Sequence, residues 1–274
     1  MEHKRLRAGA CGRTLPALMR IDDAERRAWQ EDGFFVREAV FSQEEIRVLG
    51  EAAERVVAEA ARAAKDVGED YEIDGNRYQP AAGALLQYEH APGSATLRVI
   101  EPFHHLDPAF DRLVEPMRDL VGSERVALWT DKLNLKRPRQ GSRFHWHQDS
   151  PYWAHVSPHV DQLPNVMVVL DDARIENGCF RVVRGSHRSG MLPGRQNQGT
   201  LGPLFTDPRH FDESAQVPIE APAGSLVFFS AHTVHGSEPN RSDLARRACV
   251  LTYQPAGHPM FKIEREREVG APAA

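Results

Sequence analysis

The sequence predicts a mainly β protein with flanking helices on its N-terminal side. From Val126 onward, short apolar runs alternate with turn residues and no helical pattern intervenes, which indicates a closed or sandwiched antiparallel sheet. Before that point the chain shows helical apolar spacing and helix-capping residues. A length of 274 residues, with 41% of them hydrophobic, suits one large domain or two small ones with a substantial core.

The first predicted elements are a short helix and a short strand. Asp22 or Asp23 can cap a helix that ends before Gly33, because carboxylates accept from free N–H groups at a helix start and glycine favours a helix end. The run FFVREAV, residues 34–40, is predicted as a strand.

A long helix is predicted next. Ser42 and Glu45 form the capping-box pattern Ser-x-x-Glu, and the helix should extend to about Ala64. One face is predicted to be buried because apolar residues recur at helical spacing, at Ile46, Leu49, Ala53, Val56, Val57 and Ala60.

The stretch between residues 66 and 125 is mixed. ATLRVI, residues 95–100, is predicted as a strand. DPAFDRLVEPMRDLVG, residues 107–122, is predicted as a helix capped by Asp107 with Pro108 in its first turn.

Six β-like runs follow Val126, and turn residues at 176–178, 221–224 and 236–243 separate several of them. The runs are residues 126–135, 165–173, 179–187, 216–221, 225–231 and 246–254.

Composition excludes several classes of protein. The net charge of −5 and the lack of a basic face argue against a nucleic-acid partner. Three cysteines, with no Cys-x-x-Cys pair, argue against a disulfide framework or a zinc ribbon and fit a reducing compartment. No apolar stretch approaches the roughly 18 residues of a membrane span, so we expect a soluble, cytoplasmic protein with no membrane partner. The oligomeric state stays open.

The segment FHWHQDSPYWAH, residues 144–155, holds the clearest metal-binding pattern. His147 and Asp149 are two residues apart and so project to one face of an extended segment. A third ligand must come from elsewhere, and FFSAHTVHGSEPN, residues 228–240, offers His235 at a strand end with His232 three residues earlier. Two histidines and one carboxylate leave coordination positions open, as in non-haem Fe(II) oxygenases. A structural zinc site more often uses cysteine or a fourth protein ligand.

A basic residue on a neighbouring strand adds a second signal. Arg246 and Arg247 begin the last β-like run, and an arginine there can bind a carboxylate through two hydrogen bonds. A 2-oxoacid cosubstrate needs such an anchor, and Ser237 offers a hydroxyl donor to the same carboxylate.

With these motifs in order along residues 25–255, the chain resembles the phytanoyl-CoA dioxygenase family of Fe(II)- and 2-oxoglutarate-dependent oxygenases. The matching segments are DGFFVREAVFSQEEI at 32–46, HQD at 147–149, ENGCFRVVRGSH at 176–187, GSLVFFSAHTVHGSEPN at 224–240 and RRACVLTYQ at 246–254. The resemblance implies a double-stranded β-helix, the cupin-like jelly roll, supported by helices on one side.

This resemblance organises the chain as one dioxygenase domain over residues 21–258. Residues 21–125 would be the helical support and residues 126–255 the jelly-roll core. Residues 1–20 are expected to be loosely ordered. Residues 259–274 are expected to form a C-terminal tail whose last part, residues 264–274, is solvated or frayed.

The resemblance also implies roles for individual residues. His147, Asp149 and His235 would bind Fe(II), Arg246 would anchor 2-oxoglutarate with Ser237 beside it, and Arg98 would be a further basic contact to the cosubstrate. The implied reaction consumes O2, hydroxylates an unactivated C–H bond of a small-molecule metabolite or natural-product intermediate, and releases succinate and CO2. Related halogenases have a small residue at the second position of the motif, so Asp149 favours hydroxylation or desaturation.

Three alternatives stay open. The protein could be a cupin-like metal-binding module without oxygenase activity, a zinc hydrolase, or an oxygenase of an acyl-CoA or phosphonate. The arginine at 246 argues against the first, and the absence of an evident general base argues against the second.

The remaining polar and aromatic residues near these motifs receive simpler interpretations. Arg247 should point away from the site, and residues 188–214 form a long loop of the kind that serves as a lid. Packing, capping or loop roles are expected for His104, His105, His145, His187 and His232, and pocket lining or core packing for Lys132, Asn134, Tyr152 and Trp153.

Overall fold

The computed structural model describes residues 20–113, 118–263 and 265–269. It contains two antiparallel sheets that face each other, with helices packed on the outside of the larger sheet. Residues 1–19, which belong to the segment expected to be loosely ordered, lie outside the described residues.

Two helices begin at the predicted capping boxes. Helix α1 (Asp23–Asp32) is capped by Asp22 and ends at Gly33, whose φ of 83° is left-handed. Helix α2 (Gln43–Val67) is capped by Ser42, and its buried face includes the predicted apolar positions except Val57, which is partly buried.

Ten strands form the larger sheet: β1 (Phe34–Arg37), β2 (Tyr71–Ile73), β3 (Asn76–Ala81), β4 (Ala84–Tyr88), β5 (Leu97–Glu101), β6 (Val126–Lys136), β8 (Pro164–Val169), β11 (Leu226–Ser230), β13 (Arg246–Pro255) and β14 (Glu268–Val269). The smaller sheet consists of β7 (Phe144–His147), β9 (Phe180–Val183), β10 (Gln216–Ile219) and β12 (His235–Ser237). The strand order is β1-β11-β8-β13-β6-β5-β4-β3-β2 in the larger sheet, where β14 also pairs with β6, and β10-β9-β12-β7 in the smaller sheet.

Strand β8 shows why the β-like segments after Val126 contain several apolar residues in succession. Val166 and Val168 pack toward the helices, whereas Met167 and Val169 pack between the two sheets. Both faces of the sheet are therefore buried, and the double-stranded β-helix predicted from the resemblance is confirmed.

The hairpins β2–β3 and β3–β4 were not predicted as strands. Their turns use left-handed residues, Asp74 and Gly75 in the first and Ala82 and Gly83 in the second. Two adjacent left-handed residues are the geometry of the tightest hairpin turn. The Asp-Gly pair signals such a turn in the sequence, but the Ala-Gly pair does not.

The predicted continuous helix over residues 107–122 is wrong in its described parts. Residues Pro108–Leu113 form a 3-10 helix, and only Arg118–Val121 form an α-helix, α3. Pro116 contributes no backbone N–H, which disfavours one uninterrupted helix here. The Asp107 carboxylate does cap the first turn, accepting from the Ala109 N–H at 2.9 Å.

The prediction of a solvated C-terminal end is wrong for Glu268–Val269, because Val269 is buried and β14 pairs with β6. The segment just before it is also packed, since Met260 is buried and Phe261 stacks on Trp129. Apolar burial and strand pairing outweigh the charged composition of the segment. Within the described residues, no helix is long and apolar enough to cross a bilayer.

Candidate metal centre and active site

His147 and His235 meet where the strands of the smaller sheet end. His147 is the last residue of β7, His235 is the first of β12, and the two are directly paired across the antiparallel ladder. Asp149 follows β7, where the N–H groups of Asp149 and Ser150 both donate to the Ala231 carbonyl, at 3.0 and 3.1 Å. Helix α4 (Ser150–Trp153) then leads the chain away.

One ligand atom from each of His147, Asp149 and His235 lies within 4.8 Å of the others, so the three can hold one metal ion. Among the described residues this is the one such group with three or more His, Cys, Asp or Glu side chains. The structure therefore brings together the three side chains that the sequence predicted, and it selects His235 over His232.

Each imidazole is oriented by its own chain. His147 Nδ1 lies 2.7 Å from the His145 carbonyl oxygen, and His235 Nδ1 lies 2.8 Å from the Thr233 carbonyl oxygen. A carbonyl only accepts, so each Nδ1 carries the proton and each Nε2 presents a lone pair. This arrangement is common for metal-binding histidines because it fixes both tautomer and ring plane.

The charges of the cluster also suit a metal. Burial lowers the pKa of His147 to about 3 and lowers that of His235, which keeps both rings neutral. Burial alone would raise the pKa of Asp149, but the charge of Lys132 and its hydrogen bond to the carboxylate bring it below its ordinary value. Asp149 is thus an anion; its Oδ2 accepts from Asn165 at 2.8 Å and its Oδ1 lies 3.4 Å from Lys132 Nζ. One carboxylate and two neutral nitrogens form a donor set that fits Fe(II).

The cluster lies in the wall of a cavity of about 360 Å³. It is lined by jelly-roll residues such as Met167, Phe180 and Phe229, and also by Tyr78, Tyr152 and residues of the β2–β3 hairpin. Asn134, Trp153 and Lys132 also line it.

Arg246 lies in this cavity, as a cosubstrate anchor requires. The residue is 4% exposed, its Nη2 donates to the Gly178 carbonyl at 3.0 Å, and its buried Nε has no hydrogen-bond partner among the described residues. No described carboxylate forms a salt bridge with it. Burial lowers the pKa of Arg246 to about 10, so it remains charged at neutral pH. Ser237 lines the same cavity from the neighbouring sheet.

Lys136 was not singled out in the sequence, although it is paired with Arg246 across β6 and β13. Its Nζ donates to the carbonyls of Ser142, at 2.7 Å, and Glu238, at 2.5 Å. Burial lowers its pKa to about 6, and the charges of Arg246 and Arg98 add to the effect. The available signal was alternation along β6. Lys132, Asn134 and Lys136 are each two residues apart and therefore share one face of the strand.

Other predicted residues take the roles expected of them. Arg247 points away from the cavity and binds Asp171, at 2.7 Å, and Glu54, at 3.0 Å. His232 lies between Ser150 Oγ, at 2.9 Å, and Asp161, at 2.8 Å.

The four other histidines that the sequence analysis considered separate into one cavity-lining residue and three others. His145 lines the cavity beside Phe205. His187 contacts the Gln30 carbonyl, His104 is buried against Asp131, and His105 contacts the Ala82 carbonyl. None of these last three lines the cavity.

Part of the loop at residues 188–214 lines the cavity. Leu201, Leu204 and Phe205 are among the lining residues, and the Leu201 N–H donates to Asp74 Oδ2 at 2.6 Å. This loop is therefore joined to the turn of the β2–β3 hairpin. Two of its arginines bind other groups: Arg209 pairs with Asp207, and Arg188 donates to the Glu31 carbonyl.

The family model for phytanoyl-CoA dioxygenase (PhyH) matches residues 29–248, a span that contains every residue of the cluster and Arg246. The chain belongs to the phytanoyl-CoA dioxygenase family. It is 29% identical over 253 residues to an ectoine dioxygenase from Bordetella bronchiseptica, covering 82% of this chain and 73% of that protein.

Two further comparisons agree with this membership. The chain is 30% identical over 182 residues to an L-proline trans-4-hydroxylase from Streptomyces griseoviridis, covering 58% of this chain and 67% of the relative. A solved structure of EctD from S. alaskensis with 2-oxoglutarate and 5-hydroxyectoine matches with a TM-score of 0.65 at 22% identity, covering 89% and 81% of the two chains. This phytanoyl-CoA dioxygenase family member is thus an iron- and 2-oxoglutarate-dependent dioxygenase, as the sequence predicted.

Proposed function

We propose that this phytanoyl-CoA dioxygenase family member hydroxylates a small molecule, with His147, Asp149 and His235 as its iron ligands and Arg246 as its 2-oxoglutarate anchor. The observation that carries the proposal is that the metal-binding cluster and a buried arginine without a carboxylate partner line one cavity. When bound, Fe(II) and 2-oxoglutarate supply the activation of O2, and the cosubstrate leaves as succinate and CO2.

The chain's own residues hold and orient the reactants. The Nδ1 protons of both histidines stay on the carbonyls of His145 and Thr233, so both Nε2 atoms face the metal. Asn165 and Lys132 hold the Asp149 carboxylate from both of its oxygens. Three protein ligands leave the other coordination positions for cosubstrate and O2.

Arg246 binds the far carboxylate of 2-oxoglutarate through its unused N–H groups, and Ser237 supplies a hydroxyl beside it. The guanidinium is held by Gly178 and so is oriented before the ligand binds, which reduces the entropy lost on binding. Removal of water from this buried site strengthens both interactions.

The substrate occupies the part of the cavity that the cosubstrate leaves free. The rings of Tyr78, Tyr152 and Phe205 line the cavity and exclude water from the reacting C–H bond. Two relatives are named for small molecules, ectoine and L-proline, and a small-molecule substrate fits a cavity of about 360 Å³.

An anaerobic titration tests the proposal. Fe(II) and then 2-oxoglutarate are added to metal-free protein, and the visible spectrum is recorded. We expect a weak charge-transfer band that needs both components, is absent in His147→Ala and is weakened in Arg246→Met. Metal binding without any such band would contradict the oxygenase assignment and favour a metal-binding module.

Aerobic release of succinate is the second measurement. Candidate small molecules are added to the iron-loaded protein, and we expect at least one to raise succinate release above the rate without substrate. The variant Arg247→Met is the matched control, because that arginine lies on the same strand but points to Asp171.

A further inference from the structure

Arg98 is a second buried arginine in the cavity wall. It is 5% exposed and lies on β5, where pairing with β4 slips by one residue. Val99 opposes Gln87 and Leu97 opposes Tyr88, so Arg98 is the extra residue of a β-bulge. A bulge turns a side chain away from its regular direction. Arg98 and Val99, which strict alternation would place on opposite faces, both line the cavity.

The hydrogen bonds of Arg98 leave part of its guanidinium unused. Nη1 donates to His90 Nε2, Nη2 donates to the Arg143 carbonyl at 3.1 Å, and Nε is buried with no partner among the described residues. A guanidinium has five N–H donors, so several remain. The guanidinium carbon lies 4.0 Å from the centroid of the Phe144 ring, which fixes the plane of the group.

No described carboxylate forms a salt bridge with Arg98. The acidic side chain whose charge acts most on it, Glu89, accepts from the N–H and hydroxyl of Ser142 at 3.0 and 2.5 Å. His90 is a neutral acceptor, because burial and then the charge of Arg98 lower its pKa to about 4. A buried, charged guanidinium without an anion is costly unless a ligand supplies one.

Arg98 and Arg246 are held by different groups. Arg246 donates to the Gly178 carbonyl, whereas Arg98 donates to His90 and to the Arg143 carbonyl. Burial raises the pKa values of Tyr78 and Tyr152, and the charge of Arg98 opposes both increases, so Arg98 lies close enough to act on these two cavity-lining tyrosines.

The charges that line the cavity favour an anionic ligand beyond the cosubstrate. Of its cationic residues, Lys132 faces Asp149 at 3.4 Å, Arg143 pairs with Glu238 at 2.9 Å, and Lys262 pairs with Glu101. Only the two arginines at 98 and 246 then lack a carboxylate among the described residues. The charges of Fe(II) and 2-oxoglutarate cancel, and Arg246 is used by the cosubstrate, so Arg98 remains.

We propose that Arg98 binds an anionic oxygen group of the substrate, a carboxylate or a phosphonate, so that the substrates of this dioxygenase are small anions. The inference rests on the proposed function, because it assigns Arg246 to 2-oxoglutarate. Nε–H and a free Nη–H point the same way from a guanidinium edge and can hold two oxygens of one group. The aromatic walls then receive the body of the substrate.

Calorimetric titration of the anaerobic protein loaded with Fe(II) and 2-oxoglutarate tests this. The probes are benzoate, phenylphosphonate and the neutral analogue benzamide. We expect at least one anion to bind about 10- to 100-fold more tightly than benzamide, the range of a charge-assisted hydrogen-bonded contact. The anion that binds more tightly identifies the class of oxygen group.

Three variants assign the effect. Arg98→Met should abolish the preference for the anion, and Arg143→Met, whose arginine already pairs with Glu238, should retain it. Arg98→Lys keeps the charge without the planar pair of donors and should retain part of the preference, which keeps the test decisive if Arg98→Met does not fold.

Several results would overturn the inference. One is that benzamide binds as tightly as both anions. Another is that neither anion binds in the millimolar range. A third is that the preference for the anion survives in Arg98→Met. The charge-transfer band distinguishes a failure of the Arg98 inference from a failure of the proposed function. Loss of the band in Arg98→Met would make Arg98 a cosubstrate contact and overturn the inference alone, whereas a wild-type protein without the band would overturn the function itself.

Discussion

His147 and His235 occupy opposed positions in the β7–β12 ladder, and the centroids of their rings are 4.1 Å apart. Backbone pairing of two strands thus sets the spacing of the two metal-binding nitrogens, and the backbone carbonyls of His145 and Thr233 set their direction. The two histidine ligands are consequently positioned by the sheet, which favours precise ligand placement.

Replacing either histidine should remove iron binding. Loss of a residue that merely orients a metal ligand costs about 10- to 100-fold in affinity, so His147→Ala and His235→Ala should each cost more than that. Iron content after anaerobic loading and gel filtration measures this. His145→Ala and His232→Ala are the matched controls, and iron loss in them equal to that in His147→Ala would contradict the assignment.

Arg246→Met should weaken 2-oxoglutarate binding by about 10- to 100-fold, because a charged hydrogen-bonded contact is lost. The KM for 2-oxoglutarate in substrate-independent succinate release measures the effect. Arg247→Met should leave this KM unchanged and instead lower the free energy of unfolding, since Arg247 joins β13 to Asp171 and α2. The reverse pattern in the two variants would show that the anchor is misassigned.

Lys136 should make stability depend on pH. Its pKa in the folded protein is about 6, below the ordinary value of 10.5, so the unfolded chain binds more protons between these pH values. The contribution of Lys136 to the free energy of unfolding therefore rises with pH across that window. Urea denaturation of wild type and Lys136→Met at several pH values tests this, with Lys65→Met, at an exposed position of α2, as control. A difference between wild type and Lys136→Met that stays constant or falls with pH would refute the prediction.

Lys262→Met should destabilise the protein by roughly 3 kcal/mol, because it leaves Glu101 buried without its cationic partner. The side chain of Glu101 is 5% exposed. Without Lys262, the side-chain hydrogen bond that it retains among the described residues is the one from the Thr130 hydroxyl, at 2.8 Å. Urea denaturation measures the change. Arg125→Met removes an exposed pair with Glu268 from the same region and should leave stability nearly unchanged. Equal stability of Lys262→Met and wild type would mean that the C-terminal segment does not hold the cavity wall.

Features that depend on a few neighbouring residues were predictable. The caps at Asp22 and Ser42 follow from hydrogen bonds within one helical turn. The His147–Asp149 spacing places two donors together because both lie on one short extended segment. The opposed directions of Arg246 and Arg247 follow from strand alternation alone.

Features that depend on distant pairing were not predictable in this way. The β14–β6 pairing joins Glu268 to Ala127, and the loop at residues 188–214 is joined to the β2–β3 turn by a hydrogen bond from Leu201 to Asp74. Such contacts have no periodicity or local turn signal. The bulge at Arg98 likewise appears only in the register between β4 and β5.

The sequence by itself therefore predicted a mainly β fold and the paired donors His147 and Asp149, because residue type and local spacing specify these. The resemblance to the phytanoyl-CoA dioxygenase family added the jelly roll, His235 as the expected third ligand and the oxygenase chemistry. The tertiary structure alone decided which charges remain unpaired in the cavity. That outcome depends on long-range contacts, since Glu101, Asp149 and Glu238 neutralise three cations and leave Arg98 and Arg246 without a carboxylate partner among the described residues.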